Sequence, residues 1–275
     1  MSSIIQQCKS FTLSFSGAGH LLPYHLGAAI ALKEKEREIT EQITAVSGSS
    51  SGALAASAFV YLTNEQLKEC AERFITDGGR AMYHFKQIFD ECTIPSTKQS
   101  LHIATTRCSD GSLHLFDFPA GSSPEQSKTH LMKCLEASCK IPHHFHPADI
   151  FQSRWPSTYP EEDGIIINGK SFCDGGIAAP APPTPIDKDD GVSRIIISPI
   201  SGSENETNTI RISPKDDSWK FPMDIKCRGG FAVHPSQQNI KAMQVSAGVA
   251  SLPILRGWYE RGIEDAARVL AGVES

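Results

Sequence analysis

The stretch AVSGSSSGALAAS occupies residues 45–57 and contains the pattern G-x-S-x-G from Gly48 to Gly52. The apolar residues from Ile43 to Ser47 predict a strand, and the alanine-rich run GALAASAFVYL that follows predicts a buried helix. A sharp turn between a strand and a helix needs small residues on both sides, and it projects the central side chain clear of the backbone. The pattern therefore predicts a nucleophile elbow, with Ser50 as the nucleophile and Gly48 and Gly52 as its small neighbours.

A flexible linker or a helix-capping cluster of serines is the alternative interpretation of the same residues. The apolar segments on both sides leave no room for a flexible linker. A strand-to-helix turn also directs the N–H of Ser51 and the positive end of the helix towards the reacting centre. Ser51 is therefore a candidate donor to an oxyanion.

A second glycine turn, Gly17-Ala18-Gly19-His20, follows a predicted strand from Phe11 to Ser16 and precedes a predicted helix. Backbone N–H groups at such a turn hold an anion. The dinucleotide fingerprint G-x-G-x-x-G needs glycine at position 22, where this chain has leucine. We therefore expect Gly17, Ala18 and Gly19 to supply oxyanion donors rather than to bind a dinucleotide.

A serine nucleophile needs a base, and Asp174 in FCDGGIAAP is the best-placed carboxylate. The hairpin signal Asn168-Gly169 predicts that Asp174 ends a strand, and Gly175 and Gly176 allow the chain to turn sharply after it. Asp77 is also followed by two glycines, but there Gly78 and Gly79 are explained as the C-terminal cap of an amphipathic helix.

The remaining pattern predicts an α/β protein that begins strand, helix, strand, helix. Residues 101–108 and 112–118 predict paired strands, residues 123–139 a helix, and residues 194–200 a central strand. Residues 201–220 are polar and predict a surface excursion. Two helices are expected to close the fold, and the last has a core-facing stripe formed by Leu255, Tyr259, Ile263, Ala267 and Leu270.

The composition predicts one globular domain at residues 11–275, preceded by an N-terminal extension at residues 1–10. Apolar residues make up 40% and charged residues 21% of the 275-residue chain, and the formal net charge of -5 gives no basis for nucleic-acid binding. A secretory signal and an apolar run long enough to span a bilayer are both absent from the sequence. Eight scattered cysteines without a C-x-x-C pair favour reduced thiols. We expect a cytoplasmic protein, or one peripheral at a lipid surface.

Three blocks, LSFSGAGHLLPYHLGAAIAL, VSGSSSGAL and FCDGGIAAPAPP, resemble in this order the signature blocks of the patatin-like phospholipase family. The first block is most similar to the adipose triglyceride lipase-type branch, with matches at Tyr24 and Gly27. The similarity spans residues 11–185, and LEASCKIP resembles the segment that the family carries before its aspartate. Leu22 stands in place of the usual final glycine of the first block.

The resemblance implies a three-layer α/β/α patatin-like fold with a mostly parallel central sheet. It also implies a serine hydrolase that cleaves carboxylic esters of phospholipids or acylglycerols through a Ser50–Asp174 dyad without histidine. Gly17, Ala18 and Gly19 would form the oxyanion loop, and no cofactor or metal is expected. The expected partners are a lipid ester substrate and a membrane or lipid-droplet surface.

Other functions stay open at this point. Ser50, Asp174 and His234 occur in the order of a Ser-Asp-His hydrolase. A cluster of His143, His144 and His146 raises metal binding as an alternative. From other classes, the same fold would serve an acyltransferase or a non-catalytic lipid-binding protein. Leu255, Trp258 and Tyr259 beside Arg256 are a second-choice site of contact with a lipid surface.

Overall fold

The computed structural model describes residues 10–35, 37–77, 80–91, 97–121, 128–154, 156–203, 208–248 and 250–274. The first strand begins at Ser10, so residues 1–9 of the expected extension lie outside the described residues. The expected cap at Gly78 and Gly79 also lies outside them.

A central sheet organises the described chain in the order β5-β6-β3-β2-β1-β7-β8, with β4 paired to β3. Strands β3, β2, β1, β7 and β8 pair with one another in parallel, whereas β4 and β6 pair antiparallel with β3, and β5 pairs antiparallel with β6. A separate small hairpin pairs β9 with β10. The strands are β1 (Ser10–Phe15), β2 (Ile43–Ser49), β3 (Ser100–Arg107), β4 (Leu113–Phe118), β5 (Ile165–Ile167), β6 (Lys170–Asp174), β7 (Val192–Ile197), β8 (Thr209–Ile212), β9 (Ile225–Lys226) and β10 (Ala232–Val233).

Helices connect these strands and close the chain. They are α1 (Leu22–Lys35), α2 (Arg37–Gln42), α3 (Ser51–Tyr61), α4 (Asn64–Asp77), α5 (Ala81–Glu91), α6 (Lys128–Ser138), α7 (Gly175–Ala178), α8 (Gln237–Ala247) and α9 (Leu252–Glu274). None of the helices in the described ranges is both long enough and apolar enough to cross a membrane.

The two faces of the sheet differ in chemistry. Phe11, Leu13 and Phe15 of β1 are fully buried in the core that the helices cover. Between them, Ser14 points to the other face, where its hydroxyl donates to the carbonyl of Pro182 at 2.8 Å. Successive side chains of a strand point to opposite faces of the sheet. The apolar residues at every second position of β1 therefore face the core, and the polar residues between them face the other side.

The segment 179–187 lies against the second face. The carbonyl of Pro182 also accepts from the Ser47 hydroxyl at 2.7 Å, and the Arg194 guanidinium donates to the carbonyl of Ala181 at 2.8 Å. Arg194 lies 3.3 Å from the Asp187 carboxylate, and both side chains are about nine-tenths buried. The molecule is therefore an α/β protein with a mostly parallel central sheet, as the sequence predicts.

The last helix, α9, packs along α1. A Cβ on Gly27 would overlap the carbonyl of Tyr259, and a Cβ on Gly262 would overlap the carbonyl of Tyr24. The two backbones thus approach more closely than side chains at these positions would allow. Leu255 and Leu270 are buried in the same core, and Tyr259 and Ile263 are partly buried against it. Four of the five residues of the predicted stripe therefore face the core, and Ala267 is half-buried.

One prediction was incomplete. The polar stretch 201–220, expected to cross the surface, contains strand β8, which pairs with β7 at the end of the sheet. Ile210 and Ile212 are buried there while Thr209 and Arg211 alternate with them. A strand of four residues carries too few apolar positions to stand out in a polar segment.

Candidate active site

Ser50 lies in the turn between β2 and α3, at φ 53° and ψ −131°. A positive φ is costly for any residue with a Cβ, so the surrounding chain holds Ser50 in this conformation. A Cβ on Gly48 would overlap Gly52, and a Cβ on Gly52 would overlap the carbonyl oxygens of Phe15 and Ser16. Both glycines are therefore required for the turn to form, and Ser50 keeps a partly exposed side chain.

The register of the sheet brings Asp174 to Ser50. Ser49 at the end of β2 is paired with Ala104 of β3, and the next residue of β3, Thr105, is paired with Asp174 of β6. Strand β2 thus pairs with β3 as far as Ala104 and then turns away at Ser50, and β6 pairs with the same edge of β3 from Thr105 onwards. The Ser50 hydroxyl donates to Asp174 Oδ2 at 2.7 Å.

The Asp174 carboxylate is held from its other side by the backbone. Its Oδ1 accepts the N–H of Gly176 at 2.8 Å. The main-chain carbonyl of Asp174 accepts from the Thr106 hydroxyl at 2.7 Å. A Cβ on Gly175 would overlap the carbonyl of Ala104, so this turn also needs glycine. Asp174 is thereby fixed in one orientation, with one oxygen towards Ser50.

Burial raises the pKa of Asp174 to about 6, and the hydrogen bonds from Ser50 and Gly176 oppose this rise. The residue is 6% exposed. Removal of a carboxylate from water disfavours its charged form and makes it a stronger base than an exposed aspartate. At pH 7 the group is still mainly ionised, so it is able to accept a proton from Ser50.

The expected oxyanion loop lies beside the dyad, but two of its N–H groups are engaged. The N–H of Gly17 donates to the carbonyl of Pro180 at 2.7 Å, and the N–H of Ala18 donates to the Ser51 hydroxyl at 3.1 Å. Gly19 is exposed and has φ +51°. Within the described part of the chain, the N–H groups of Gly19 and Ser51 donate to no acceptor.

Two further serines hold the site, and the sequence reasoning did not single out either. Ser138 accepts the N–H of Ser50 at 2.9 Å and donates its hydroxyl to the carbonyl of Ala104 at 2.7 Å. Its position within LEASCKIP, already similar to a family segment, is a signal that would have found it. The Ser246 hydroxyl donates to the carbonyl of Ala18 at 2.8 Å. The local pattern of α8 gives no sign of this contact.

The other candidate residues lie in local pairs. His234 Nδ1 contacts the Asp224 carboxylate, and His144 Nδ1 lies 2.8 Å from Asp163 Oδ2. Asp77, at the end of α4, pairs with His84 at 2.9 Å. His146 accepts the N–H of Ala148. No group of three metal-ligating side chains occurs among the described residues.

Comparison with known proteins gives no match to a family model. The chain is 26% identical to patatin-like phospholipase domain-containing protein 4 of Homo sapiens over 225 residues, which are 76% of each chain. It is 26% identical to 1-acylglycerol-3-phosphate O-acyltransferase Pnpla3 of Mus musculus over 78% of this chain and 48% of that protein. The omega-hydroxyceramide transacylase of Homo sapiens is 25% identical over 94% of this chain and 45% of its own length.

The chain thus spans about half the length of the latter two relatives. Among solved structures, it is similar to VipD from Legionella pneumophila, with 12% identity and a TM-score of 0.41 over 97% of this chain and 67% of that one. The three sequence blocks and the curated proteins agree, and the chain is similar over most of its length to patatin-like phospholipase domain proteins.

Proposed function

We propose that this protein is a lipid acyl hydrolase that cleaves carboxylic ester bonds of phospholipids or acylglycerols, with Ser50 and Asp174 as its catalytic dyad. Its relatives support lipid hydrolase or acyltransferase function in general. The observation that carries the specific proposal is the hydrogen bond from Ser50 Oγ to Asp174 Oδ2, made by a strained turn serine and a buried carboxylate.

In the first half of the reaction, Asp174 takes the proton of Ser50 as Oγ attacks the ester carbonyl carbon. The carbonyl oxygen becomes an oxyanion. Collapse of the tetrahedral intermediate breaks the bond to the alcohol, which leaves with the proton from Asp174. The acyl group remains as an ester on Ser50.

In the second half, Asp174 takes a proton from water while the water oxygen attacks the acyl carbon. The bond to Ser50 Oγ breaks, and the proton on Asp174 returns to that oxygen. The products are a carboxylic acid and the free serine. A base with a pKa near 6 suits both halves, because it accepts a proton at neutral pH and gives it up again.

We assign the binding of the oxyanion to backbone N–H groups of the elbow and of the glycine turn. The N–H of Ser51 stands at the start of α3, where the positive end of the helix adds to its effect. Gly19 supplies a second N–H. Ala18 joins them when its N–H exchanges the Ser51 hydroxyl for the substrate, whereas Gly17 holds the turn through Pro180.

Acyl transfer to an alcohol is the second candidate. The observation that favours it is the naming of two relatives as an acyltransferase and a transacylase. Both reactions share the acyl-enzyme on Ser50 and differ only in whether water or an alcohol accepts the acyl group.

The experiment compares wild type, Ser50→Ala, Asp174→Asn and His234→Ala in hydrolysis of a short-chain nitrophenyl ester and in labelling by a fluorophosphonate. We expect the first two variants to lose turnover by about a thousandfold or more, and His234→Ala to stay within about twofold. A loss in His234→Ala equal to that in Ser50→Ala would show a triad instead. Lack of both turnover and labelling in wild type would favour a lipid-binding protein. Preferential product formation with an added alcohol would favour the transferase.

A further inference from the structure

Large apolar side chains are exposed on the segment 219–223, on α8 and on the first turn of α9. We call this set the exposed apolar face. Its members are each between 45% and 78% exposed: Trp219, Phe221, Met223, Ile240, Met243, Leu252 and Ile254. Soluble surfaces rarely expose large apolar patches unless something binds there.

Contacts join part of this set. The rings of Trp219 and Phe221 touch, with centroids 4.7 Å apart. The N–H of Gln237, the first residue of α8, donates to the carbonyl of Trp219. Ile240 and Met243 follow at helical spacing on the exposed side of α8. Ile254 of α9 and Gln237 and Lys241 of α8 line one groove, whose volume is about 480 Å³.

Three lysines are adjacent or close in sequence to members of the face, although the whole chain carries a net charge of -5. Lys220 lies between Trp219 and Phe221, and Lys226 and Lys241 are close in sequence to other members; all three are exposed. In the described ranges none of these three lysines forms an ion pair.

Nearby carboxylates have partners of their own, and Asp216 accepts from the hydroxyls of Ser201 and Ser218. Asp224 contacts His234 and Ser203, and Asp217 pairs with Lys215. Lys220 and Lys241 therefore place positive charge that no ion pair in the described part of the chain neutralises next to members of the exposed apolar face.

The same helix that carries part of this face also touches the candidate active site. The Ser246 hydroxyl donates to the carbonyl of Ala18, and the Ser246 carbonyl lies 3.3 Å from His20 Nδ1. Met243 is one turn earlier, about 5 Å along the helix axis. The exposed apolar face thus lies beside the turn that we assign to the oxyanion.

We propose that the exposed apolar face docks the protein onto an anionic phospholipid surface, with the Ser50 site turned towards the lipid. This inference rests on the proposed function. Trp and Phe next to Lys is the combination that inserts into a membrane interface, since the rings enter the headgroup region while the ammonium groups stay with the lipid phosphates. A protein partner would bind the apolar residues equally well. It would not explain why the exposed apolar face lies next to the candidate active site, whereas a lipid surface that carries the substrate does.

The test measures sedimentation of the full chain with vesicles of phosphatidylcholine containing about 30% phosphatidylserine, and with vesicles of phosphatidylcholine alone. We expect binding to the anionic vesicles and at least a fivefold weaker partition to the neutral ones. The double variant Ile240→Ser/Met243→Ser should lose about tenfold in partition. Lys220→Gln/Lys241→Gln should reduce binding to the anionic vesicles only.

Ile166→Ser is the matched control, because Ile166 is 47% exposed and Ile240 is 49% exposed, but Ile166 lies on β5. It should bind as wild type does. Circular dichroism establishes that each variant is folded. If Ile240→Ser/Met243→Ser and Ile166→Ser partition equally, the proposal is overturned. It is also overturned if light scattering shows that the double variant abolishes a dimer of the wild type while vesicle binding is unchanged.

Hydrolysis assays separate this proposal from the proposed function. The double variant should keep wild-type turnover of a soluble nitrophenyl ester but lose turnover of a phospholipid presented in anionic vesicles. Ser50→Ala should bind the vesicles as wild type does. If wild type binds vesicles but cleaves no ester, the docking surface stands and the proposed function fails.

Discussion

Replacement of Asp174 by asparagine should stabilise the fold at neutral pH, although it removes the proposed base. The variant Asp174→Asn preserves the shape of the side chain and cannot ionise. In the wild type, burial raises the pKa of this carboxyl from 3.8 to about 6. The fold therefore disfavours the charged form that the reaction needs.

The size of the effect follows from this shift. The shift is roughly two pKa units, and each unit corresponds to about 1.4 kcal/mol, so ionisation of Asp174 costs the folded state about 3 kcal/mol. Below about pH 4 both the folded and unfolded forms hold the proton, and the cost is absent. Between about pH 4 and 6 the unfolded chain has released the proton and the folded chain has not, so the free energy of unfolding falls as pH rises.

Urea denaturation, followed by circular dichroism at a series of pH values, measures this difference. The stability of Asp174→Asn relative to wild type should rise by about 3 kcal/mol between about pH 4 and pH 8. Asp110→Asn is the control, because hydrogen bonds from Ser112 lower the pKa of Asp110. Its relative stability should change in the opposite direction. A difference between Asp174→Asn and wild type that is constant with pH would refute the reasoning.

Three other predictions concern the same site. The value of kcat/KM for a soluble ester should rise with pH along a limb centred near pH 6, because Asp174 must be ionised to act as a base. Ser50→Gly should be more stable than Ser50→Ala by about 1–2 kcal/mol in thermal or urea unfolding, since glycine adopts φ 53° without strain; equal stability would argue against strain at the elbow. Gly52→Ala should lower the free energy of unfolding by about 3 kcal/mol or more through overlap with the carbonyls of Phe15 and Ser16, whereas Gly257→Ala, in open space on α9, should be neutral or stabilising in the same assay.

The strand-helix order and the elbow are visible in the sequence because their signals are local. An apolar run, two flanking glycines and a following alanine-rich helix specify the turn at Ser50. Likewise, Asn168 and Gly169 adopt the positive φ angles that the hairpin before Asp174 requires. The roles of Ser50 and Asp174 in catalysis stay predictions, but the register that brings them together agrees with them.

The supporting hydrogen bonds are not visible in the sequence, because they join residues that are distant along the chain. Ser138 is 88 residues from Ser50, and Ser246 is 228 residues from Ala18. Single serines have no periodicity that marks such contacts. The engagement of the Gly17 and Ala18 N–H groups is hidden for the same reason: their acceptors, the carbonyl of Pro180 and the hydroxyl of Ser51, are distant along the chain.

The carbonyl of Pro180 joins all three sequence blocks. It accepts the N–H of Gly17 from the first block and the hydroxyl of Ser49 from the second at 2.8 Å, while its own residue follows Asp174 in the third. All the groups in this junction are electrically neutral. The distance between Ser50 and Asp174 should therefore not depend on ionic strength. High salt that detaches the protein from a charged surface should leave the geometry of the dyad unchanged.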